Sequence, residues 1–298
     1  MKEWVKVVQR MIDWIEEHTE QNRMLESLSA EIGYSPWHCS VLFHDVTGMT
    51  IKSYASGRRL ARAAEKIRDT KERILDIAVK YGYSSQEALS RLFKEQYGCT
   101  PAAYRRNPVP IRLQIPKEVL LPDYSEQERI NTMEQERLFV RVEHIPAHKY
   151  LGVFEKRATN YCEFWDYRDC DTVTGIVTSM ETLAHPIVTP HTAGWMKDGE
   201  KRTYFYGTGV SLDYAGPIPE GFELRDVPAS DYLVFGYPSF DFMTENADVM
   251  GAVEKMAWNF DPSVMGYEWN EETCPDYQRH YPEKFGYQVL RPVKKSAS

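Results

Sequence analysis

Between Ser84 and Gly98 the residue types fit the reading of a nucleic-acid groove. Gln86, Glu87, Ser90, Arg91 and Lys94 fall on one side of a helix-period pattern, and Ala88, Leu89, Leu92, Phe93 and Tyr97 on the other. Gln and Arg can bond base edges bidentately, and here they stand near the helix start, where a recognition helix touches bases. Ser84 or Ser85 can cap the first turn, and Ser84 with Glu87 fits a reciprocal S-x-x-E box. Gly98 then stops the helix.

The pattern occurs twice. GYSPWHCSVLFHDVTGMT at 33–50 stands beside GYSSQEALSRLFKEQYGCT at 82–100. Gly33-Tyr34-Ser35 repeats as Gly82-Tyr83-Ser84, Leu42-Phe43 as Leu92-Phe93, Gly48 as Gly98 and Thr50 as Thr100, with one extra residue in the second copy. Ser35-Pro36 is an N-cap followed by proline at the first helical position. Trp37, His38, Ser40, Val41 and His44 are the groove-side or rim candidates of that first copy.

Other elements must position these two helices. Residues 4–17 put Trp4, Val7, Val8, Met11, Ile12 and Ile15 on one helical face, and 24–32 carry Leu25, Leu28 and Ile32. Each repeated unit therefore reads as a helix, a tight glycine turn and a second helix. A longer helix over about 51–68 joins the two units, with Tyr54, Leu60, Ala61, Ala64 and Ile67 turned inward. Arg58, Arg59, Arg62, Lys66 and Arg68 cover much of its remaining surface. Residues 1–107 carry 17 Lys+Arg against 14 Asp+Glu, a surplus of +3, whereas 108–298 carry 19 against 30, a balance of −11. Such asymmetry hints at nucleic-acid contact in the first part.

Bulk properties exclude several classes. No apolar run approaches the ~20 residues of a membrane span, and acidic residues interrupt the N-terminal MKEWVKVVQRMIDWIEEH, which reads as an amphipathic helix rather than a signal peptide. The five cysteines are scattered and lack a CxxC pair, which fits reduced thiols in a cytoplasmic protein. GxxxxGK[ST], HExxH, GxGxxG and GxSxG are absent, and the eight histidines do not pair at metal spacing. No catalytic residue, metal or cofactor is assigned.

Residues 8–106 resemble the DNA-binding region of the AraC/XylS transcription regulators. The likeness is carried by GYSPWHCSVLFHDVTGMT, SYASGRRLARAAEKIRDT and ILDIAVKYGYSSQEALSRLFKEQYGCTPAAYRR. The resemblance implies that the two helix-turn-helix units enter successive major grooves of one duplex. It places Trp37, Ser40 and Val41 at base-facing positions of the first unit, and Gln86, Glu87, Ala88 and Arg91 at those of the second. It also implies phosphate contacts from Arg58, Arg59 and Lys94. A Gln-Arg pair typical of small members is replaced by Ser40-Val41, which predicts looser sequence preference in the first helix. Glu87 either accepts from a cytosine amino group or caps its own helix.

Four prolines and a charged tail mark 108–137 as a linker. Beyond it, 145–154 (IPAHKYLGVF) recurs at 227–235 (VPASDYLVF). Each copy follows an alternating strand (139–143, 222–226) and precedes a helical stretch (161–182, 246–259); strands at 203–212 and 287–293 close the halves. Two strand-strand-helix-strand repeats predict an α+β domain over 138–298, an antiparallel sheet with two helices on one face and a pseudo-twofold groove. The expected fold is thus an all-α domain (1–107), two helix-turn-helix units joined by a helix, followed by that α+β domain.

The second half resembles the GyrI-like effector-binding domain through VEHIPAHKYLGVF, YFYGTGV, ELRDVPASDYLVFGY, MGYEWNEETCPDYQRHYPE and YQVLRPV. That resemblance implies an aromatic-lined groove for a small aromatic or hydrophobic molecule. Its lining candidates are Tyr161, Trp165, Trp195, Tyr204, Tyr206, Tyr237, Tyr267, Trp269 and Gln278, foremost Trp165 and Trp269. Gln278 stands where relatives carry a buried Glu, which weakens both a cation site and a hydrolase; Glu163, Asp166 or Glu268 are candidate substitutes. The expected partners are double-stranded DNA, a small-molecule effector and RNA polymerase, with activation on family grounds and a monomer or homodimer. A hydrolase and a ligand-free interaction module remain the alternatives for the second half.

Overall fold

Four glycines punctuate the helical half, and each needs a positive φ that only glycine adopts without strain. Gly33 (81°) and Gly82 (72°) make the turn inside each helix-turn-helix, and Gly48 (71°) and Gly98 (75°) end the helix that follows. The computed structural model describes residues 2–20, 24–120, 137–198 and 201–296. They form two units, Met1–Leu121 and Pro122–Ser298. No helix among the described residues is long and apolar enough to cross a membrane.

The first unit is all helical: α1 (Lys2–Glu17), α2 (Met24–Ile32), α3 (Pro36–Thr47), α4 (Ile51–Asp69), α5 (Ile74–Lys80), α6 (Gln86–Tyr97) and α7 (Pro101–Arg106). Helix periodicity sorts its apolar residues into two cores. Val8, Met11, Ile12, Ile15, Leu28, Cys39, Phe43 and Tyr54 close the first. Ala61, Ala64, Ile67, Ile77, Leu89, Phe93 and Tyr104 close the second. Helix α4 contributes to both, which is why the two helix-turn-helix units belong to one body.

The stretch after α7 departs from the expected linker. Residues 109–120 lie as a strap on the helical unit, so the linker's start at Pro108 is not where this unit ends. Ile111 and Leu113, two apart, are buried in the second core, and Val119 packs on the first. Gln114 Nε2 donates to the Tyr54 carbonyl (3.0 Å), the Lys117 amide to the Tyr54 hydroxyl (3.2 Å), and the Val119 and Leu120 amides to Gln9 Oε1 (2.9 and 3.2 Å). Gly57 leaves room for the Gln114 amide as it lies: a Cβ there would stand 1.8 Å from Gln114 Oε1, and that side chain would have to turn aside. The remainder of the expected linker, 121–136, lies outside the described residues.

The second unit contains β1 (Phe139–Ile145), β2 (His148–Glu155), α8 (Tyr161–Tyr167), α9 (Cys170–Ser179), β3 (Thr192–Asp198), β4 (Lys201–Val210), β5 (Glu223–Val227), β6 (Ser230–Tyr237), α10 (Phe242–Asn259), β7 (Tyr267–Trp269), β8 (Asp276–Tyr281) and β9 (Gly286–Lys295). One antiparallel sheet runs in the order β1-β6-β9-β8-β3-β4-β2-β5, with β7 added beside β9. The order is a pseudo-twofold arrangement in which β1 of the first repeat pairs with β6 of the second, and β5 of the second with β2 of the first. The first repeat holds one strand more than its sequence pattern suggests, β3, and the second holds two, β7 and β8. β3 and β8 pair with each other at the centre, Ala193 opposite Gln278. The helical stretch expected over 161–182 breaks at Arg168 and Asp169 into α8 and α9, where both residues take extended backbone.

Strand alternation fills two faces. Leu233, Phe235, Tyr237, Tyr287 and Val289 pack with α10 residues Val249, Val253 and Ala257. Tyr204, Tyr206, Leu151 and Val153 pack with Phe164, Val173 and Val177 of α8 and α9. The alternate residues Tyr150, Phe205, Tyr232, Val234, Tyr277 and Leu290 form a separate aromatic cluster.

Candidate functional site

The two copies in the helical unit are built alike down to their caps. Ser35 Oγ accepts from the His38 amide (3.2 Å) and Ser85 Oγ from the Ala88 amide (3.2 Å), so each serine bonds the amide three residues on. The capping serines are fifty positions apart, as are Gly48 and Gly98, whereas Gly33 and Gly82 are forty-nine apart. The extra residue of the second copy therefore lies in the turn, at Ser84. That corrects the proposed Ser84–Glu87 box: Ser85 is the cap. Glu87 sits in the first turn, where bonds from its own amide and from Ser85 hold its carboxyl below the ordinary range, the cap-side reading of this residue. Ser85→Ala should lower urea-unfolding stability by about 1 kcal/mol, and Ser84→Ala by much less.

With that register, Pro36 corresponds to Gln86, Trp37 to Glu87, Val41 to Arg91 and His44 to Lys94. All eight are exposed, while Cys39 and Phe43, with their counterparts Leu89 and Phe93, are fully buried. The outward face of α3 is apolar at its tip, with Trp37 75% exposed and Val41 38%. That of α6 is polar and charged. Ser40 and Ala88 are half-buried, and the Ser40 hydroxyl donates to the Pro36 carbonyl (2.9 Å). His38 is held in a ring cluster, 5.8 Å from Trp4 and 4.9 Å from Tyr34, which makes it a support for the helix start.

Arg58 does not fit the phosphate role. It is 2% exposed, donating through Nε and Nη2 to Glu16 (2.6 and 2.7 Å) and through Nη1 to the Gln114 carbonyl. Burial pushes the Glu16 carboxyl up, but its bonds to Arg58 and Tyr54 outweigh that and hold it below the usual carboxylate range. Arg59 is half-buried, its Nε on the Thr19 carbonyl (2.9 Å). Lys94 remains exposed on the outer face of α6.

In the second unit a cleft of about 610 Å³ is lined by Lys156, Thr159, Asn160, Trp195, Lys201, Arg202, Glu254 and Trp258. It lies between the start of α8, the β3–β4 hairpin and α10. The Trp195 indole donates to the Thr159 carbonyl (2.8 Å) and meets Trp258 edge to face at 5.3 Å. A buried polar relay runs beside it: the Tyr204 hydroxyl donates to Gln278 Oε1, Gln278 Nε2 to the Tyr287 hydroxyl, and that hydroxyl to Glu254 Oε1 (2.6 Å). Gln278 is 4% exposed and spends its amide on the two tyrosines.

Of the nine expected lining residues, Trp195 lines this cleft, and Tyr204 and Gln278 join its relay. Tyr161, Trp165 and Tyr206 gather instead at α8, Trp165 edge-on to Tyr206 at 4.9 Å and to Tyr161 at 5.7 Å. Among the described residues the buried Trp165 Nε1 has no hydrogen-bond partner. Tyr237 is fully buried in the α10 core, so it cannot line a groove. Tyr267 and Trp269 are on β7, outside the cleft lining, and Trp269 is covered by the Arg291 guanidinium at 3.6 Å.

None of the three substitute carboxylates lines the cleft. Glu163 bonds the Thr159 amide (2.7 Å) at the start of α8, Glu268 pairs with Lys294 (3.3 Å), and Asp166 is exposed. Glu254 supplies the carboxylate, and sequence reasoning missed it. The available signal was its place one residue after the inward Val253 and four before Trp258 on one helix. Among the described residues no group of three or more His, Cys, Asp or Glu is placed to hold a metal.

Residues 28–107 match the family described as a helix-turn-helix domain. The chain is 42% identical over 102 residues to the right origin-binding protein of Escherichia coli K12, a match covering 34% of this chain and 35% of that protein. It thus spans about a third of the length of that relative. It is 28% identical over 238 residues to the transcriptional regulator Rob of Salmonella typhimurium, 78% of each chain. Over 100 residues it is 40% identical to the regulatory protein SoxS of E. coli K12, covering 94% of SoxS.

Proposed function

Because the chain belongs to the AraC/XylS family of helix-turn-helix regulators, we propose that α3 and α6 read two segments of one duplex while a small molecule bound in the second unit tunes that binding. The observation that carries the reading is the matched pair of capped helices with exposed outer faces. On α6, Gln86 and Arg91 offer bidentate donors to base edges, with Lys94 on phosphate. On α3, Trp37 and Val41 offer apolar contact, which suits thymine methyl groups and a looser preference.

The effector site is the cleft bordered by Trp195 and Trp258, with the Tyr204–Gln278–Tyr287–Glu254 relay beside it. A concave, aromatic-walled site with a few convergent polar groups is the usual form of a small-molecule pocket, and the pseudo-twofold sheet order supports a GyrI-like effector domain. Activation through contact with RNA polymerase completes the proposed role.

Arg91→Ala tests the DNA part. On a duplex selected with the full chain, the variant is expected to lose about 1–3 kcal/mol of binding, concentrated at one base-pair position in a substitution scan. Equal weakening on every duplex would make Arg91 a phosphate contact and remove the direct-readout assignment.

A further inference from the structure

Trp37 is 75% exposed, the most open of the large apolar side chains among the described residues. Val41, 38% exposed, stands one turn further along α3 on the same side, because residues four apart on a helix are neighbours. Helix α3 reads PWHCSVLFHDVT and contains no Lys, Arg, Gln or Asn, the side chains that bond a purine edge bidentately. Its shorter polar groups are engaged within the unit. The Ser40 hydroxyl donates to the Pro36 carbonyl (2.9 Å), His38 lies in the ring cluster with Trp4 and Tyr34, and His44 Nδ1 stands 3.9 Å from the Asp45 carboxylate. Two helices of one build thus differ at one equivalent place, a guanidinium on α6 (Arg91) and an isopropyl group on α3 (Val41).

The groove offers such a face one kind of contact. Thymine shows an O4 acceptor and a C5 methyl group in the major groove, whereas cytosine shows an N4 donor. Cytosine methylated at C5 carries the same methyl in the same place. A face that reads by hydrogen bonds separates the two bases through O4 and N4. An indole beside an isopropyl group registers the methyl instead, by removing it from water. The purine opposite changes from adenine to guanine, and α3 holds no bidentate donor to feel that change.

We propose that α3 recognises the C5 methyl of pyrimidines, so that 5-methylcytosine replaces thymine in the segment it covers and cytosine methylation there strengthens binding. The proposal rests on the reading of α3 as base-facing. Trp37→Ala and Val41→Ala first locate the segment, as the base pairs of a selected duplex at which discrimination is lost. At each such pyrimidine the full chain is titrated with four duplexes, carrying thymine, uracil, cytosine or 5-methylcytosine.

The gain from burying one methyl group corresponds to about fourfold in affinity. Thymine is therefore expected to bind about fourfold tighter than uracil, and 5-methylcytosine about fourfold tighter than cytosine. In Arg91→Ala both factors should persist. Val41→Arg should abolish both at one position and install a guanine preference there, a gain that an unfolded variant cannot mimic. Uracil equal to thymine, or 5-methylcytosine equal to cytosine, at every located position overturns the methyl reading while α3 stays a base reader. If Trp37→Ala and Val41→Ala bind every duplex as the parent does while Arg91→Ala loses its base, α3 does not face the bases, and the inference falls with α6 intact. If Arg91→Ala changes nothing either, the groove reading of both helices fails.

Discussion

Arg58→Ala is expected to lower the stability of the helical unit by about 3–5 kcal/mol, the scale for removing one partner of a buried ion pair. Glu16 would keep a carboxylate only 14% exposed with its bidentate partner gone. Arg62, at 3.4 Å and on the surface, replaces little of that interaction. The same change strips the Gln114 carbonyl of a donor and loosens the strap across Gly57. Urea unfolding of the full chain, followed by helix signal, measures the loss. Had Arg58 instead been a phosphate contact, its removal would leave the unfolding midpoint in place and reduce the salt slope of DNA binding by about one. The Glu16→Gln, Arg58→Ala double variant should cost less than the two single losses together, since neither charge is then left buried alone.

The second expected result concerns acid. His148 is fully buried, with Nδ1 2.9 Å from the Pro146 carbonyl and Nε2 2.7 Å from the Tyr277 hydroxyl. A carbonyl only accepts, so Nδ1 carries a proton; in the neutral ring that burial favours, Nε2 accepts from the Tyr277 hydroxyl. Burial pushes its pKa down from 6.5 to about 4, with His185 stacked at 5.0 Å adding repulsion. In this window the unfolded chain binds more protons than the folded one. The contribution is therefore complete above pH ~6.5 and disappears as pH falls through about 4. Up to about 3 kcal/mol of stability goes with it. His191 and His280, also pushed down to about 4 by burial, act in the same direction. Asp276 opposes them: burial raises its carboxyl to about 7 despite Arg202 and Arg291, so it favours the folded unit as pH falls below 7. Comparing the unfolding midpoint of the parent and of His148→Gln between pH 7 and 4 isolates the imidazole. The variant should show a shallower decline, and parallel curves would remove His148 from the explanation.

The helical half was legible because its signals are local. A glycine at positive φ, a serine bonding an amide three residues on and an apolar stripe of period 3.6 each act within one or two turns, and here each is present twice. Arg58 was illegible for the opposite reason. Arginine on a helix surface ordinarily meets water, and its partner Glu16 lies 42 positions earlier on another helix. The strap was hidden by its prolines, which fix extended backbone without ladder bonds, while its buried pair Ile111 and Leu113 is too short to show a period.

In the second unit β2, β4, β6 and β9 were found through their apolar runs. β3 (TAGWMKD) and β8 (DYQRHY) were not, because each mixes polar, charged and small residues and shows neither an apolar run nor the alternation that marks a half-buried strand. Missing those two strands misplaced the cleft, and with it the residues expected to line it. Trp269, a favoured aromatic, stacks on Arg291, a partner 22 residues on that its acidic neighbours do not announce.

The strap also decides how this protein is best divided. A fragment ended after Asn107, where the helices stop, would lack Ile111 and Leu113 from a closed interior. It would also lose the bonds that Gln114, Lys117, Val119 and Leu120 make to Tyr54 and Gln9. One that continues through Leu120 keeps both cores covered, and it is the shorter piece that should be expected to aggregate or bind DNA loosely when the two are purified side by side.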